Sequence, residues 1–498
     1  MNCMKRIIAV ICCIFMLFTV LVGCGKDDTA KDSENSVSTD GASSDDGKEY
    51  DANGYLKDSI PDEIDYGGDP ISIIGWGHDE AAVDFNVDTV NGDRISYQTY
   101  ARNTTVENRL GVKLNFDLTL KGNNANRYDY IAAVERNLMG GEIYDLIACY
   151  SQCVANFTTD GYLVDLKAQS AFDFSAPWWS SYMIESSEIN DKVFFASGSI
   201  STTSILRTMI IAVNMDLVDD YGLDDPREIA ADGNWTLEEL YKMCLNKGSD
   251  TNQNIQGKDN GDTFGFTMWD STIGDAFLVS SGLRYLSTDD SGKLIIAPEF
   301  KGEKIYDLAQ ELLTKFKSND FLYESSNNSK VFTGKRTMFF GTRFDYITDN
   351  KGDIDFNYGY LPFPKYDAEQ ENYFSNSGFN FSMWCIPQQC SDYERSAYVM
   401  EALASEGYRK VQPEVYESIK YRGSSDAINV EMFDLIIESK IYDMGAVFHN
   451  NFLWDDSPVA LWRTRLYKDV NADWYSAIAN KSPTIEGVLD TINSAFGY

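Results

Sequence analysis

The sequence predicts an α/β protein built as two lobes. Stretches of period-two and period-3.6 hydrophobicity alternate along it, the pattern of strands joined through helices. About 440 residues remain once an apolar leader and a polar spacer are set aside, too many for one ordinary core and suited to two. Hydrophobic residues make up 43% of the 498 and aromatic residues 13%, enough to fill both cores.

The leader comes first. Lys5 and Arg6 precede an uncharged run, Ile7 to Val22, and Leu21-Val22-Gly23-Cys24 closes it. A basic start, a short apolar stretch and small exit residues describe a secretory signal, shorter than a comfortable membrane span of ~20 residues. The ending resembles a bacterial lipobox, which implies cleavage before Cys24 and a diacylglycerol thioether on its sulfur. From Gly25 to about Tyr55 the chain is Asp, Ser, Lys, Gly, Thr and Glu with almost nothing to bury. Such a segment cannot offset its ordering entropy and reads as a disordered spacer. Residues 1–23 are thus read as a signal peptide and 24–60 as lipidated Cys plus linker.

The folded elements follow in order. Asp69 to Gly75 reads as a short buried strand ending at Gly75-Trp76-Gly77. Thr99 to Leu110 reads as a helix with Tyr100, Val106 and Leu110 inward, capped by Gly111. Val112, Leu114, Phe116 and Leu118 alternate with polar residues as a strand. Arg127 to Met139 returns to helical spacing, and Tyr144 to Cys149 is the next apolar strand. Strands and helices alternating at these lengths predict crossovers and a mostly parallel sheet. Ile210 to Asn214 is strand-like. Thr236 and Glu239, three apart, have the form of a capping box opening a helix. Thr263 to Met268 alternates as a strand, and Lys301 to Phe316 is a helix with Ile305, Leu308, Leu312 and Phe316 on one stripe. Thr337–Phe340, Tyr358–Pro362 and Asn380–Ile386 are strands, and the tail from Ser391 is helical, broken near Gly407, Pro413 and Gly423.

Charge and cysteines narrow the function. The formal charge is −35, and removal of Lys5 and Arg6 takes it to −37, which argues against nucleic acid or anionic lipid as partner. Five cysteines remain after the leader and Cys24: Cys149, Cys153, Cys244, Cys385 and Cys390. An odd number cannot all pair internally, and with only His78 and His449 in the chain no zinc spacing arises, so they read as buried small hydrophobes. There is no Gly-x-Ser-x-Gly elbow, no His-Glu-x-x-His and no phosphate-binding Gly-rich loop. A surface glycoside hydrolase or lyase using two carboxylates stays open, since 77 acids always supply a pair. An adhesin would show repeats, and none is visible.

In sequence order, Arg102-Asn103 … Glu107-Asn108-Arg109-Leu110-Gly111-Val112, Tyr144-Asp145-Leu146-Ile147, Gly161-Tyr162-Leu163-Val164-Asp165-Leu166, Pro177-Trp178-Trp179, Asn214-Met215, Asn234-Trp235-Thr236 and Gly334-Lys335-Arg336-Thr337-Met338 resemble the extracellular solute-binding proteins of ABC importers, family 1 type, which capture sugars. The likeness covers roughly residues 65 to 445. It implies a periplasmic-binding-protein-like type II fold with a hinge, the first lobe from 61–166 plus about 377–410 and the second from 167–376 plus about 411–498. It places the first crossing between lobes at Gly161 to Leu166. It further implies a monomeric, non-enzymatic lipoprotein, anchored on the outer face of the cell membrane, that delivers its solute to permease subunits.

Sugars present apolar faces and a rim of hydroxyls, so aromatic rings beside polar groups at strand ends are the candidate contacts. Trp76 follows the first strand, with packing as the alternative. Tyr150 and Ser151 follow the strand ending at Cys149, Trp269 and Asp270 the strand ending at Met268, and Arg343 and Phe344 follow Gly341. Trp178, Trp179 and Trp384 read as packing, while Trp454 borders the cleft or caps the second lobe. Asp250, Asn252, Asn254 and Asp262 outline a structural calcium loop, departing from the pattern at Ile255 and Gly261; a polar hairpin tip is the other reading. No other cofactor is expected. A polyamine or peptide ligand remains open alongside sugar.

Overall fold

The structure is a computed structural model and describes residues 49–85, 94–251, 258–259, 261–269, 272–322, 328–420, 426–453, 456–467 and 473–498. The chain divides into two units, Met1–Leu56 and Lys57–Tyr498. The described end of the first is a turn in which Asp51 Oδ1 accepts the amides of Asn53 and Tyr55 at 2.8 and 2.9 Å. The second unit begins inside the stretch expected to be linker. Asp58 is held there: its carboxylate takes Arg109 at 2.6 Å, Arg409 at 3.3 Å and the Ser405 hydroxyl at 2.6 Å.

In chain order the strands of this unit are β1 (Asp69–Gly75), β2 (Val112–Asp117), β3 (Leu146–Tyr150), β4 (Met209–Asn214), β5 (Phe264–Met268), β6 (Leu286–Thr288), β7 (Leu294–Ile296), β8 (Phe321–Leu322), β9 (Thr337–Arg343), β10 (Tyr358–Leu361) and β11 (Ser382–Cys385). The helices used below are α1 (Arg94–Leu110), α2 (Arg127–Met139), α3 (Leu237–Cys244), α4 (Glu303–Lys317), α5 (Tyr393–Glu406), α6 (Gln412–Lys420), α7 (Ala427–Glu438) and α8 (Pro458–Tyr467).

One sheet has the order β11-β3-β1-β2, with β1 parallel to both neighbours and β11 antiparallel to β3. The other has the order β10-β4-β9-β5-β8 and is mixed rather than mostly parallel: β5 runs parallel to β8 and β9, whereas β4 is antiparallel to β9 and β10. The difference has a local cause. β4 enters its sheet from a crossing segment, not from a helical crossover, so nothing forces it parallel. β5, expected to alternate, is buried along its whole length because both faces of this sheet are covered. One face carries a cluster that includes Ile210, Phe340, Phe344, Tyr360, Phe433 and Ile436.

α1 is longer than its periodicity indicates, and its buried residues are Thr99, Arg102, Asn103, Val106 and Leu110. Tyr100, expected inward, is exposed. Polar residues take the inward stripe because they find acceptors there: Arg102 donates to the carbonyls of Ile200 and Asp84 at 2.9 and 2.7 Å and to Asn103 Oδ1. Gly111 ends the helix at φ 61°, where a Cβ would stand 1.8 Å from Asp65 Oδ1. The N-cap half of the α3 capping box forms, Thr236 Oγ1 accepting the Glu239 amide at 3.3 Å, while the Glu239 carboxylate takes Lys242 at 2.9 Å. Ile305, Leu308, Leu312 and Phe316 make the buried stripe of α4. The expected breaks at Gly407 and Pro413 are not breaks: the helix runs from α5 through a π-helical turn, Gly407–Val411, straight into α6 with Pro413 inside it, and Gly423 lies outside the described residues.

The resemblance puts the first crossing at Gly161 to Leu166, but those residues run along the first sheet: Leu163 bridges Pro387, and Ala196 still bridges Trp384. The chain reaches the second sheet only at β4. There Thr208 bridges Ser377 on the returning segment, and Ser375 in turn bridges Lys440. Three segments, 203–209, 375–381 and 439–443, thus lie side by side between the sheets.

Candidate functional site

The cleft between the sheets, floored by the returning segment, holds a cavity of about 220 Å³. Glu80, Asn124, Tyr150 and Gln152 line it from the first sheet's side, and Trp269, Thr272 and Arg343 from the second's. Gly378, Phe379 and Asn380 of the crossing contribute, as do His449 and Arg463 from the C-terminal part.

Each aromatic contact is positioned by the end of a strand. Tyr150 closes β3, and its ring meets the edge of Trp76 with centroids 5.2 Å apart. Burial pushes its hydroxyl well above the ordinary tyrosine range, so it remains an O–H donor. Trp269 directly follows β5, and its amide is fixed to the Gly341 carbonyl at 2.9 Å. Arg343 ends β9 and lays its guanidinium 4.1 Å from the Trp269 ring centroid.

Charge in the cleft is settled within the protein. Arg343 donates to both carboxylate oxygens of Asp345 at 3.0 and 3.1 Å, and Arg207 donates to the same carboxylate. Arg343 also reaches Asn380 Oδ1 at 3.1 Å, and the Asn380 amide donates to Glu80 Oε2 at 3.3 Å. Arg207 donates to the Glu80 carbonyl at 3.3 Å, which completes a ring of bonds from the first lobe through the crossing to the second. Arg463 is paired with Asp275 and stacks 5.1 Å from Phe379. Burial, reinforced by Arg463 and Arg127, pulls the His449 pKa down to about 3, so its imidazole is neutral. Apart from the paired arginines and the Glu80 carboxylate, the wall is therefore amide, phenol, hydroxyl, neutral imidazole and ring face. Groups of this kind can donate to and accept from hydroxyls without demanding a charge.

The candidate residues separate clearly. Tyr150, Trp269 and Arg343 stand together on the cavity wall. Trp76 is fully buried and donates its indole N–H to Ser382 Oγ at 2.9 Å, which makes it the support of Tyr150. Ser151 is buried with its hydroxyl donated to the Phe379 carbonyl, and it faces a small enclosed space of about 30 Å³ instead of the cleft. Phe344 packs edge-on to Tyr360 in the second core. Trp178, Trp179 and Trp384 are buried as expected. Asp262 spends its carboxylate on the amides of Thr251 and Asp259 at 3.1 and 3.0 Å, and among the described residues no cluster of three or more metal-ligating side chains occurs. Asp250 is exposed next to that hairpin. Cys24, Asn252, Asn254, Asp270 and Trp454 lie outside the described residues.

Sequence reasoning missed Glu80, Gln152, Asn380, His449 and Arg463. Gln152 and Asn380 lie within two residues of strand ends already singled out, and that spacing was the available signal. His449 and Arg463 arrive from the far end of the chain and carry no local one.

No protein-family model and no curated protein matches this sequence. Solved structures do. A cyclic α-maltosyl-1,6-maltose binding protein from Arthrobacter globiformis superposes with a TM-score of 0.58 at 13% identity, covering 85% of this chain and 99% of that one. A cyclo/maltodextrin-binding protein complexed with maltotetraose gives 0.54 at 11% identity, over 86% and 96% of the two chains. A maltose/maltodextrin-binding domain from Bdellovibrio bacteriovorus bound to maltotriose gives 0.53 at 13% identity, over 84% and 100%. This chain has the two-lobed α/β fold of those binding proteins.

Proposed function

We propose that this protein captures a neutral sugar or oligosaccharide between its lobes and hands it to the permease of an ABC importer, without chemical change. The observation that carries the reading is the cleft itself: aromatic rings and neutral hydrogen-bonding groups converge from both sheets while Arg207, Arg343 and Arg463 already have their carboxylates. A hydroxyl-rich solute satisfies such a wall at every contact, whereas a polyamine would need acids of its own, and Glu80 is the one carboxylate on the described lining. The maltooligosaccharides bound by proteins of the same fold support the same class. The side-by-side crossing segments suit closure about a hinge, which a permease can read as the loaded state.

Calorimetric titration against mono- and oligosaccharides, polyamines and peptides is the test. Saturable sugar binding with no product formed supports the proposal; turnover of the sugar, or tight binding of a polyamine alone, overturns it. The lipobox-like Leu21-Val22-Gly23-Cys24 supports a lipid anchor that holds the receptor near its permease. Cys24→Ala is expected to release the protein from the membrane fraction and to slow uptake, measured by fractionation and transport of labelled sugar.

A further inference from the structure

Behind the crossing segments lies a second cavity, of about 170 Å³. Trp178, Trp179, Tyr182, Ile205, Tyr416 and Ile437 line it, and Lys440 borders it. The polar tips of the aromatic residues are already engaged. The indole N–H groups of Trp178 and Trp179 go to the two oxygens of Glu401 at 2.9 and 2.8 Å. The Tyr182 hydroxyl donates to the Glu438 carbonyl at 2.5 Å, and Tyr416 accepts from Gln412 at 3.0 Å. The rings are themselves partly engaged, Trp178 by Arg409, Trp179 by Phe172 and Phe174, and Tyr416 by Phe433, so the cavity is left their remaining surface together with one ammonium.

Lys440 is only 6% exposed, donates to the Ser204 carbonyl at 2.7 Å and stands 5.4 Å from the Tyr442 ring centroid. Among the described residues no carboxylate forms an ion pair with it, in contrast to the arginines of the cleft. An ammonium taken out of water without a counter-charge is costly. Lys365 has the same arrangement of one carbonyl and one ring, 2.8 Å from the Gln370 carbonyl and 5.4 Å from Tyr373. Lys365 does not border that cavity; Lys440 does.

We propose that this hinge cavity is a binding site for a small aromatic carboxylate, its anionic head on the Lys440 ammonium and its ring against Trp178, Trp179 and Tyr416. The size fits, since a dry cavity of about 150 Å³ is known to accept benzene. The charge fits because the ligand supplies the missing counter-ion. The site is separate from the sugar cleft, and its test uses no sugar, so either can fail without the other.

Isothermal titration of the full chain with benzoate, and with the neutral isostere benzamide, decides the matter. Saturable binding of one benzoate is expected, with benzamide at least tenfold weaker and Lys440→Met weakening benzoate at least tenfold. Equal binding of benzamide, unchanged binding by Lys440→Met, or no benzoate binding overturns the proposal, the last meaning that the cavity holds solvent only. Should Lys440→Met fail to fold, Ile437→Trp fills the space from a partly buried position and leaves the Lys440 bond to Ser204 in place. Benzoate binding is expected to be lost in that variant; binding that survives belongs to the cleft guanidiniums and overturns the assignment.

Discussion

The cleft and the hinge cavity are both lined by aromatic rings and both draw residues from either side of the crossing, yet they settle charge in different ways. In front, the buried Arg207 and Arg343 share Asp345 and the half-buried Arg463 has Asp275. Behind, Lys440 has a carbonyl and a ring but no acid. Aromatic content alone therefore says little about a ligand's class. What distinguishes the two sites is whether the protein or the ligand completes the charge balance, and each of the following changes disturbs that distinction.

The largest effect is expected from Asp345→Asn. The substitution leaves Arg207 and Arg343 buried side by side without their shared carboxylate, and breaking a buried pair costs roughly 3–5 kcal/mol. Urea unfolding should show that loss, and calorimetry should show weaker sugar binding because Arg343 no longer holds its place over Trp269. A loss below about 1 kcal/mol, the value of an exposed pair, would mean that the cleft is not charge-matched in the way described.

Trp269→Ala comes next. Removing a partly buried ring from a ligand wall is expected to weaken sugar binding by roughly 2 kcal/mol, about thirtyfold, with some loss of stability from its packing on Tyr346 and the second core. Trp76→Phe should do the reverse, costing about 1 kcal/mol of stability for the lost bond to Ser382 and leaving affinity nearly intact. If Trp76→Phe impaired binding as much as Trp269→Ala, the division between wall and support would fail.

That pair also shows how far the sequence could be read. A tryptophan just past a strand end looks the same in sequence whether it turns toward the ligand or toward the core. Trp76 turns in because Ser382, some 300 positions later, offers its hydroxyl. Phe344 follows Arg343 directly, but the strand ends at Arg343, which lines the cleft, and Phe344 opens a short helix, Phe344–Asn350, that turns its ring into the second core. The elements themselves were legible from hydrophobic period and caps: β1, β2, α2, α4 and the Thr236 N-cap of α3 lie where their patterns put them. Partners fixed by tertiary contact were not. Arg102 replaces Tyr100 on the inward stripe of α1 because carbonyls from Asp84 and Ile200 wait there, and no window of sequence shows those.

The smallest net effect is in pH. His449 on the cleft has its pKa pulled from 6.5 down to about 3, by burial and then by Arg463 and Arg127. Between those values the unfolded chain binds more protons, so this group's contribution is whole above pH 6.5 and is lost as the pH falls. Glu401, behind the tryptophan wall of the hinge cavity, has its pKa pushed from 4.5 up to about 8 by burial, opposed by the Trp179 and Trp178 N–H bonds. There the folded chain binds more protons, so the contribution is whole below pH 4.5 and is lost as the pH rises through 8. From pH 4.5 to 6.5 the two slopes oppose each other, each about 1.4 kcal/mol per pH unit at most. These two groups should therefore add little net slope to wild-type unfolding free energy across that window. Glu401→Gln removes the falling slope, and stability measured by urea unfolding should then rise with pH from 4.5 to 6.5. His449→Gln removes the rising slope, and stability should fall over the same range. Two variants with slopes of the same sign would show that the cleft and the hinge are not electrically opposed.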